Sequence, residues 1–289
     1  NGFYSLAQLL MNFIAKNPKN DTTIVANFVD CNFKFSIKFG NISICKLFTM
    51  EMERNNFETV ILNAIELDYT KIMQYYFDNI VNKKFMLTDL FVKHALTISL
   101  KKNTDNCLNY LIEKFQLLSP QILTFKLYTK LLSNSCLYGN LAASKILTEI
   151  ILKNDKKYDF SASFIKASSS NSQEICKYFL EKDLYINYET LSHHVPELGF
   201  ISAEIFSAIL KNVKQNLKKK FLKCINSAIE KRNKNLVEFL LKEKAIYKNA
   251  LLDAVSINDF EMVELILNYD SSSLFVNKNT EKGTALLIA

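Results

Sequence analysis

Glycine and proline are scarce in this chain of 289 residues, which holds 5 of one and 3 of the other. Hairpins and the tight turns of sandwiches and barrels draw on both, so an all-β architecture is excluded. Long apolar runs are missing too. Lys, Asn and Glu interrupt each one before it reaches the ~20 residues that span a bilayer, so no membrane span is expected. The chain opens on Asn1-Gly2 with no charged segment, apolar stretch and cleavage site behind it, so no secretory signal is read, and without an initiator Met a fragment of a longer protein is expected. The six cysteines (Cys31, Cys45, Cys107, Cys136, Cys176 and Cys224) lie far apart and form no C-x-x-C pair. That spacing supplies neither a zinc site nor a redox motif, and the expectation is free thiols in a reducing, intracellular compartment.

Signals of chemistry are equally sparse. There is no G-x-x-x-x-G-K-S/T loop, no G-x-G-x-x-G and no G-x-S-x-G. Ser43–Lys46 and Ser163–Lys166 match an S-x-x-K string, but the partner motifs of that enzyme class are absent. Of three histidines, His94 stands alone, and the adjacent His193 and His194 would point about 100° apart on a helix, a poor grip for one metal. The expectation is a protein without catalysis, cofactor, metal or small-molecule substrate.

What the chain does have is apolar content, 49%, enough for a folded protein. Its formal charge of +7 comes mostly from scattered lysines. The densest group is Lys211, Lys214, Lys218, Lys219, Lys220 and Lys223. No stacking aromatics interleave with these, so the group reads as a solvated loop and helix face, and nucleic acid is not an expected partner.

Internal repetition organises the remainder. Ala250–Ala254, then Asn258-Asp259, then Met262–Leu267 has the shape of Ala228, then Asn233, then Leu236–Leu241. With the small residue taken as an anchor, copies fall at Ser36, Ala64, Ser99, Ser135, Ala167, Ala228, Ala254 and Ala289, and a degenerate one at Glu197. Eight positions past the anchor stand Ile44, Ile72, Cys107, Ala143, Ile175, Ile205, Leu236 and Met262, all apolar. Two further on come Lys46, Gln74, Asn109, Lys145, Lys177, Ser207, Glu238 and Glu264, all polar. At twelve past it come Phe48, Tyr76, Leu111, Leu147, Phe179, Ile209, Leu240 and Ile266, again apolar. Apolar residues at i and i+4 around a polar i+2 describe a buried helix face. Cys45 and Cys176, and the aromatics Tyr75, Tyr76, Tyr110, Tyr178, Phe179 and Phe239, follow these columns and read as core. Between anchor and second helix lie Gly40-Asn41, Asn103-Thr104, Gly139-Asn140, Asn171-Ser172, Arg232-Asn233 and Asn258-Asp259, residues suited to a left-handed helix end and a cap. Each copy is thus a helix, a tight turn and a second helix in about 32 residues.

On these residues the chain resembles the ankyrin repeat family. Gly283–Ala289 is similar to the opening of a family repeat, with Ala285 and Leu287 where Pro and His are usual. Tyr138-Gly139-Asn140 is similar to its turn, Leu236–Leu241 to its second helix, and Lys242–Ala245 to its Lys-x-Gly-Ala ending with Lys244 in the glycine's place. The resemblance spans residues 30–289 and is strongest from 224 onward, while other helical-pair solenoids stay open for the first half. It implies an all-α fold, an α-solenoid of stacked helix-turn-helix repeats with few or short β-hairpins. Residues 1–26 would form an N-terminal helical cap or partial repeat, with an amphipathic helix over 3–15. Residues 27–289 would form an array of about eight units plus the start of another, with more repeats to follow.

The resemblance also implies an intracellular scaffold or adaptor that binds protein partners on its concave face, at loop tips and first-helix ends. The alternative it leaves is a regulatory or targeting arm of a larger enzyme or channel. Carried over residue by residue, the helix ends are two and three past each anchor, and the expected contacts are Phe39, Lys102, Tyr138, Lys231 and Ile257. For Phe39 and Ile257 packing beneath loops is an equal reading.

Overall fold

The computed structural model describes residues 54–81, 87–245 and 249–269, with Leu9, Asn12, Gly40, Ile42 and Ser43 besides. The expected cap over 1–26, Phe39, Cys31, Cys45, the anchors Ser36 and Ala289, and the Gly283–Ala289 opening lie outside the described residues. Those described are all-helical, and no strand occurs among them. No helix among them is long and apolar enough to cross a membrane.

The helices are α1 (Arg54–Glu66), α2 (Thr70–Tyr76, running into a π-turn at Phe77–Val81), α3 (Asp89–Lys102), α4 (Asp105–Leu118), α5 (Phe125–Tyr138), α6 (Leu141–Asn154), α7 (Ser161–Ser169) and α8 (Gln173–Glu181). After them come α9 (Tyr188–Ser192), a 3-10 segment (Val195–Phe200), α10 (Ala203–Asn212), α11 (Gln215–Leu222), α12 (Ile225–Glu230), α13 (Lys234–Lys242), α14 (Ala250–Ser256) and α15 (Phe260–Tyr269). They group into two compact units, Asn1–Leu131 and Leu132–Ala289.

The anchors mark a recurring backbone event. Ala64, Ser99, Ser135, Ala167, Ala228 and Ala254 are fully buried near the end of a first helix. Four positions on, the chain turns left-handed at Asp68, Asn103, Gly139, Asn171, Arg232 and Asn258, with φ between 52 and 72°. The following amide then donates back to the anchor's carbonyl: Tyr69 to Ala64 at 2.8 Å, Thr104 to Ser99 at 3.0 Å, Asn140 to Ser135 at 2.9 Å, Ser172 to Ala167 at 2.8 Å, Asn233 to Ala228 at 2.9 Å and Asp259 to Ala254 at 3.2 Å. This is the Schellman closure of a helix, which satisfies carbonyls that the last turn leaves bare. The residue that closes the first helix also opens the second. Asn140, Asn233 and Asp259 accept from the amides three residues ahead, at 2.8, 3.3 and 3.0 Å.

The sequence columns become the core. Ile72, Cys107, Ala143, Ile175, Ile205, Leu236 and Met262 are buried, as are Tyr76, Leu111, Leu147, Phe179, Ile209, Leu240 and Ile266. A small anchor lets the two helices of a pair approach closely, and in one pair the hydroxyls of Ser135 and Ser144 meet across the gap at 2.8 Å. Like then packs on like. In the first unit α1 lies against α3 and α2 against α4. In the second, first-helix elements follow one another as α7, the 3-10 segment, α12 and α14, and second helices as α6, α8, α10, α13 and α15.

The degenerate copy at Glu197 departs from this scheme. Its first helix is the 3-10 segment, with Pro196 at its start, and Ile201 has φ −70° where the other pairs turn left-handed. Gly199 explains the shape: a Cβ there would come within 2.8 Å of the Ser227 carbonyl, so the segment packs backbone to backbone on α12. Ser202 still caps the second helix, accepting from Ile205 N at 3.3 Å.

Second helices end by the same closure in two pairs, at Asp183 (φ 50°) and Lys244 (φ 60°). Lys244 is exposed and carries the steric cost of a Cβ in the left-handed region. Lys244→Gly is expected to stabilise the second unit by about 1 kcal/mol net of the extra chain entropy, read as a higher urea midpoint at an unchanged slope.

Candidate functional site

The first-helix ends are mostly exposed, but several of their side chains already reach the next pair. Lys102 Nζ lies 3.7 Å from Glu66 Oε1, joining α3 to α1 at a solvent-exposed contact. Ser170 and Ser172 both donate to the Cys136 carbonyl, at 2.9 and 3.2 Å. Lys231 Nζ sits 4.9 Å from the centre of the Phe200 ring. Arg232 Nη2 donates to the Ile257 carbonyl at 2.6 Å. Of the expected contact residues, Lys102, Tyr138 and Lys231 are exposed and Ile257 is half-buried. Tyr138 stands beside the exposed Leu137 at the end of α5.

In the second unit these turns enclose a shallow groove of about 590 Å³. Asn171 and Gln173 line one side, Phe200, Ser202 and Glu204 the middle, and Lys231, Asn233 and Asn235 the other side. Gln173 fixes its shape. Its Nε2 donates to the Phe200 carbonyl at 2.6 Å while its Oε1 accepts from Ser202 N at 2.8 Å. Asn233 does the same one pair later, with Nδ2 donating to the carbonyls of Gly199 at 3.1 Å and Ile201 at 2.8 Å while Oδ1 caps α13. Both amides satisfy backbone groups of the 3-10 segment that no helix ladder reaches. Asn235 and Glu204 are exposed, and their side chains make no hydrogen bond or ion pair with another described residue. The groove therefore presents a positive charge over an aromatic ring, a carboxylate and a free amide within one concavity.

Lys231 is the expected contact residue that this groove contains; Tyr138 and Ile257 do not line it. Reading the sequence missed Phe200, Gln173, Asn233 and Asn235. Phe200 stands three past Glu197, so extending the helix-end carry-over to the degenerate copy would have found it. The amides had a weaker signal, a polar residue five to seven places past each anchor.

Four cysteines are described, and all are buried and free. Burial pushes the thiols of Cys107, Cys136, Cys176 and Cys224 up to about 12. No set of three or more His, Cys, Asp or Glu side chains suited to a metal ion occurs among the described residues. His194 Nδ1 lies 3.3 Å from Glu197 Oε1. Compared with known proteins, the chain matches no family model, no curated protein and no solved structure.

Asn233→Ala removes a cap and leaves two carbonyls without their donor, at an expected cost of about 2–4 kcal/mol, measurable by urea unfolding; Asn235→Ala, on the same helix, is expected to change stability by less than about 0.5 kcal/mol. The thiols set an alkaline limit. Their folded values lie above the ordinary 9.0, so their contribution is fully present below pH 9 and is lost as pH rises towards 12. Thermal midpoints should fall across that window, and Cys176→Ala should lessen the fall.

Proposed function

We propose that this chain is a scaffold of ankyrin type, a stack of helix pairs that holds protein partners along its first-helix ends and turns without performing chemistry on them. The observation that carries this reading is the left-handed closure at one fixed distance from each of six anchors, which within each compact unit sets the turns of neighbouring pairs in register. Such alignment turns short loops into a continuous surface, and repeat proteins owe their extended binding faces to that geometry. The resemblance in Tyr138–Asn140, Leu236–Leu241 and Lys242–Ala245 supports the family, and the surface chemistry supports the role. Exposed Tyr138 and Leu137, the Lys231–Phe200 pair, and the unpaired Asn235 and Glu204 mix aromatic, cationic and amide groups as protein-binding patches do. Partners rich in backbone or side-chain hydrogen-bonding groups suit a groove walled by amides.

The test compares the intact chain with a Tyr138→Ser, Lys231→Glu, Asn235→Arg variant as immobilised baits, with Lys145→Glu, Lys177→Glu on the second helices as control. Quantitative mass spectrometry should find a discrete set of proteins lost from the first variant and kept by the control. Undiminished capture by the first variant would count against this face.

A further inference from the structure

A second concavity lies in the same compact unit, between the end of α9 and the α11–α12 junction. It measures about 490 Å³ and is lined by Ser192, His193 and Pro196, by Lys220 and Lys223, and by Asn226, Ser227 and Glu230 as its floor on α12. Its charge is unusual for this molecule. Several lysines elsewhere have acidic partners, among them Lys93 with Asp89, Lys114 with Asp78, Lys182 with Glu149, Lys234 with Glu261 and Lys242 with Glu238. By contrast Lys211, Lys214, Lys218, Lys219, Lys220 and Lys223 form no ion pair with any described residue, and no Asp or Glu occurs between Glu204 and Glu230. The sequence alone reads this run as solvated; the fold brings two of its ammonium groups and an imidazole to one hollow.

The floor adds an independent sign. Asn226 Oδ1 is out of reach of solvent and has no hydrogen-bond partner among the described residues. A buried amide oxygen without a partner is costly. Asn226 lines the hollow with its Oδ1 enclosed, so Nδ2 is the group it offers there, and an anion would accept from it.

We propose that this groove binds a compact anion carrying two or more phosphate groups. Lys220 and Lys223 act as paired cations, His193 and Asn226 donate hydrogen bonds, and the flanking lysines of α11 raise the local potential. Two features choose this ligand over a longer polyanion. Glu230 also lines the hollow, so its cationic part is confined to Lys220, Lys223 and their surroundings and offers no continuous track for an extended chain of phosphates. No aromatic ring lines the walls to stack a base. Lysines alone, with no planar guanidinium, suit the dense charge of clustered phosphates better than the flat fork of a carboxylate. The phosphates can be free or borne on a small organic molecule.

The experiment titrates the full chain with inorganic tripolyphosphate near physiological salt, read by calorimetry and by the thermal midpoint. Binding is expected to raise the midpoint, and Lys220→Gln with Lys223→Gln should weaken it by about tenfold or more, as loss of two charge-assisted contacts does. Lys211→Gln with Lys214→Gln removes the same charge outside the groove and should leave affinity within about threefold. Asn226→Leu removes the donor and buries no polar atom; it should weaken binding while the ligand-free midpoint does not fall, and it decides the matter if the lysine pair proves unstable. Absence of binding, or equal loss in both lysine pairs, overturns the proposal. So does preference for oligothymidylate or for vesicles of anionic lipid that the groove variants leave unchanged.

Discussion

A helix that stops in water leaves its last carbonyls unbonded, and a chain built from many short helices meets that cost again and again. Here one device meets it at each of six anchors. The backbone turns left-handed four residues past a buried small side chain, and the next amide folds back onto the anchor's carbonyl. The consequences reach well beyond the turn. The closure fixes the angle at which the second helix leaves, so the apolar columns eight and twelve past the anchor meet the first helix of the same pair. It also sets each turn at the same height in its pair, so Ser170 and Ser172 find the Cys136 carbonyl, Gln173 finds Phe200 and Ser202, and Arg232 finds Ile257. Shift one closure by a residue and the second helix rotates by about 100°, carrying its buried face into solvent.

Much of this was legible in the residues. Alternation of apolar and polar side chains gave the second helices their faces, and Gly139, Asn103, Asn171 and Asn258 announced left-handed positions because such residues occupy them at little steric cost. Arg232 was placed by register alone, since arginine does not seek that conformation, and Asp68 fell outside the turns read from the sequence although aspartate tolerates it. The 3-10 segment at Val195–Phe200 escaped for a different reason. Its shape follows from Gly199 lying against the Ser227 carbonyl, a contact between residues almost one repeat apart. The amide groove had the same origin. Asn171, Phe200 and Lys231 belong to three consecutive pairs, and no local pattern reports that stacking brings them to one hollow.

The two concavities of the second unit differ in kind. The groove over Phe200 is walled by amides that already hold backbone in place, with a few groups left over, and its mixed character suits a protein surface. The hollow beside α11 gathers two ammonium groups and an imidazole beside an amide, and suits a small dense anion. Both depend on the 3-10 segment, whose compact path leaves space on one side for Gln173 and Asn233 and on the other for His193.

That segment also changes how the second unit comes apart. The side-chain bonds between helix pairs join consecutive pairs, so each junction can open with its neighbours intact. At Ile201, just past the 3-10 segment, the left-handed lock is missing, and the side chains of Gln173 and Asn233 bond this stretch instead. One amide there, Ser202, is held by a side chain, and the rest have only short 3-10 bonds in place of an α-helix ladder, which makes this stretch the seam along which thermal fluctuations divide the unit into an earlier and a later half.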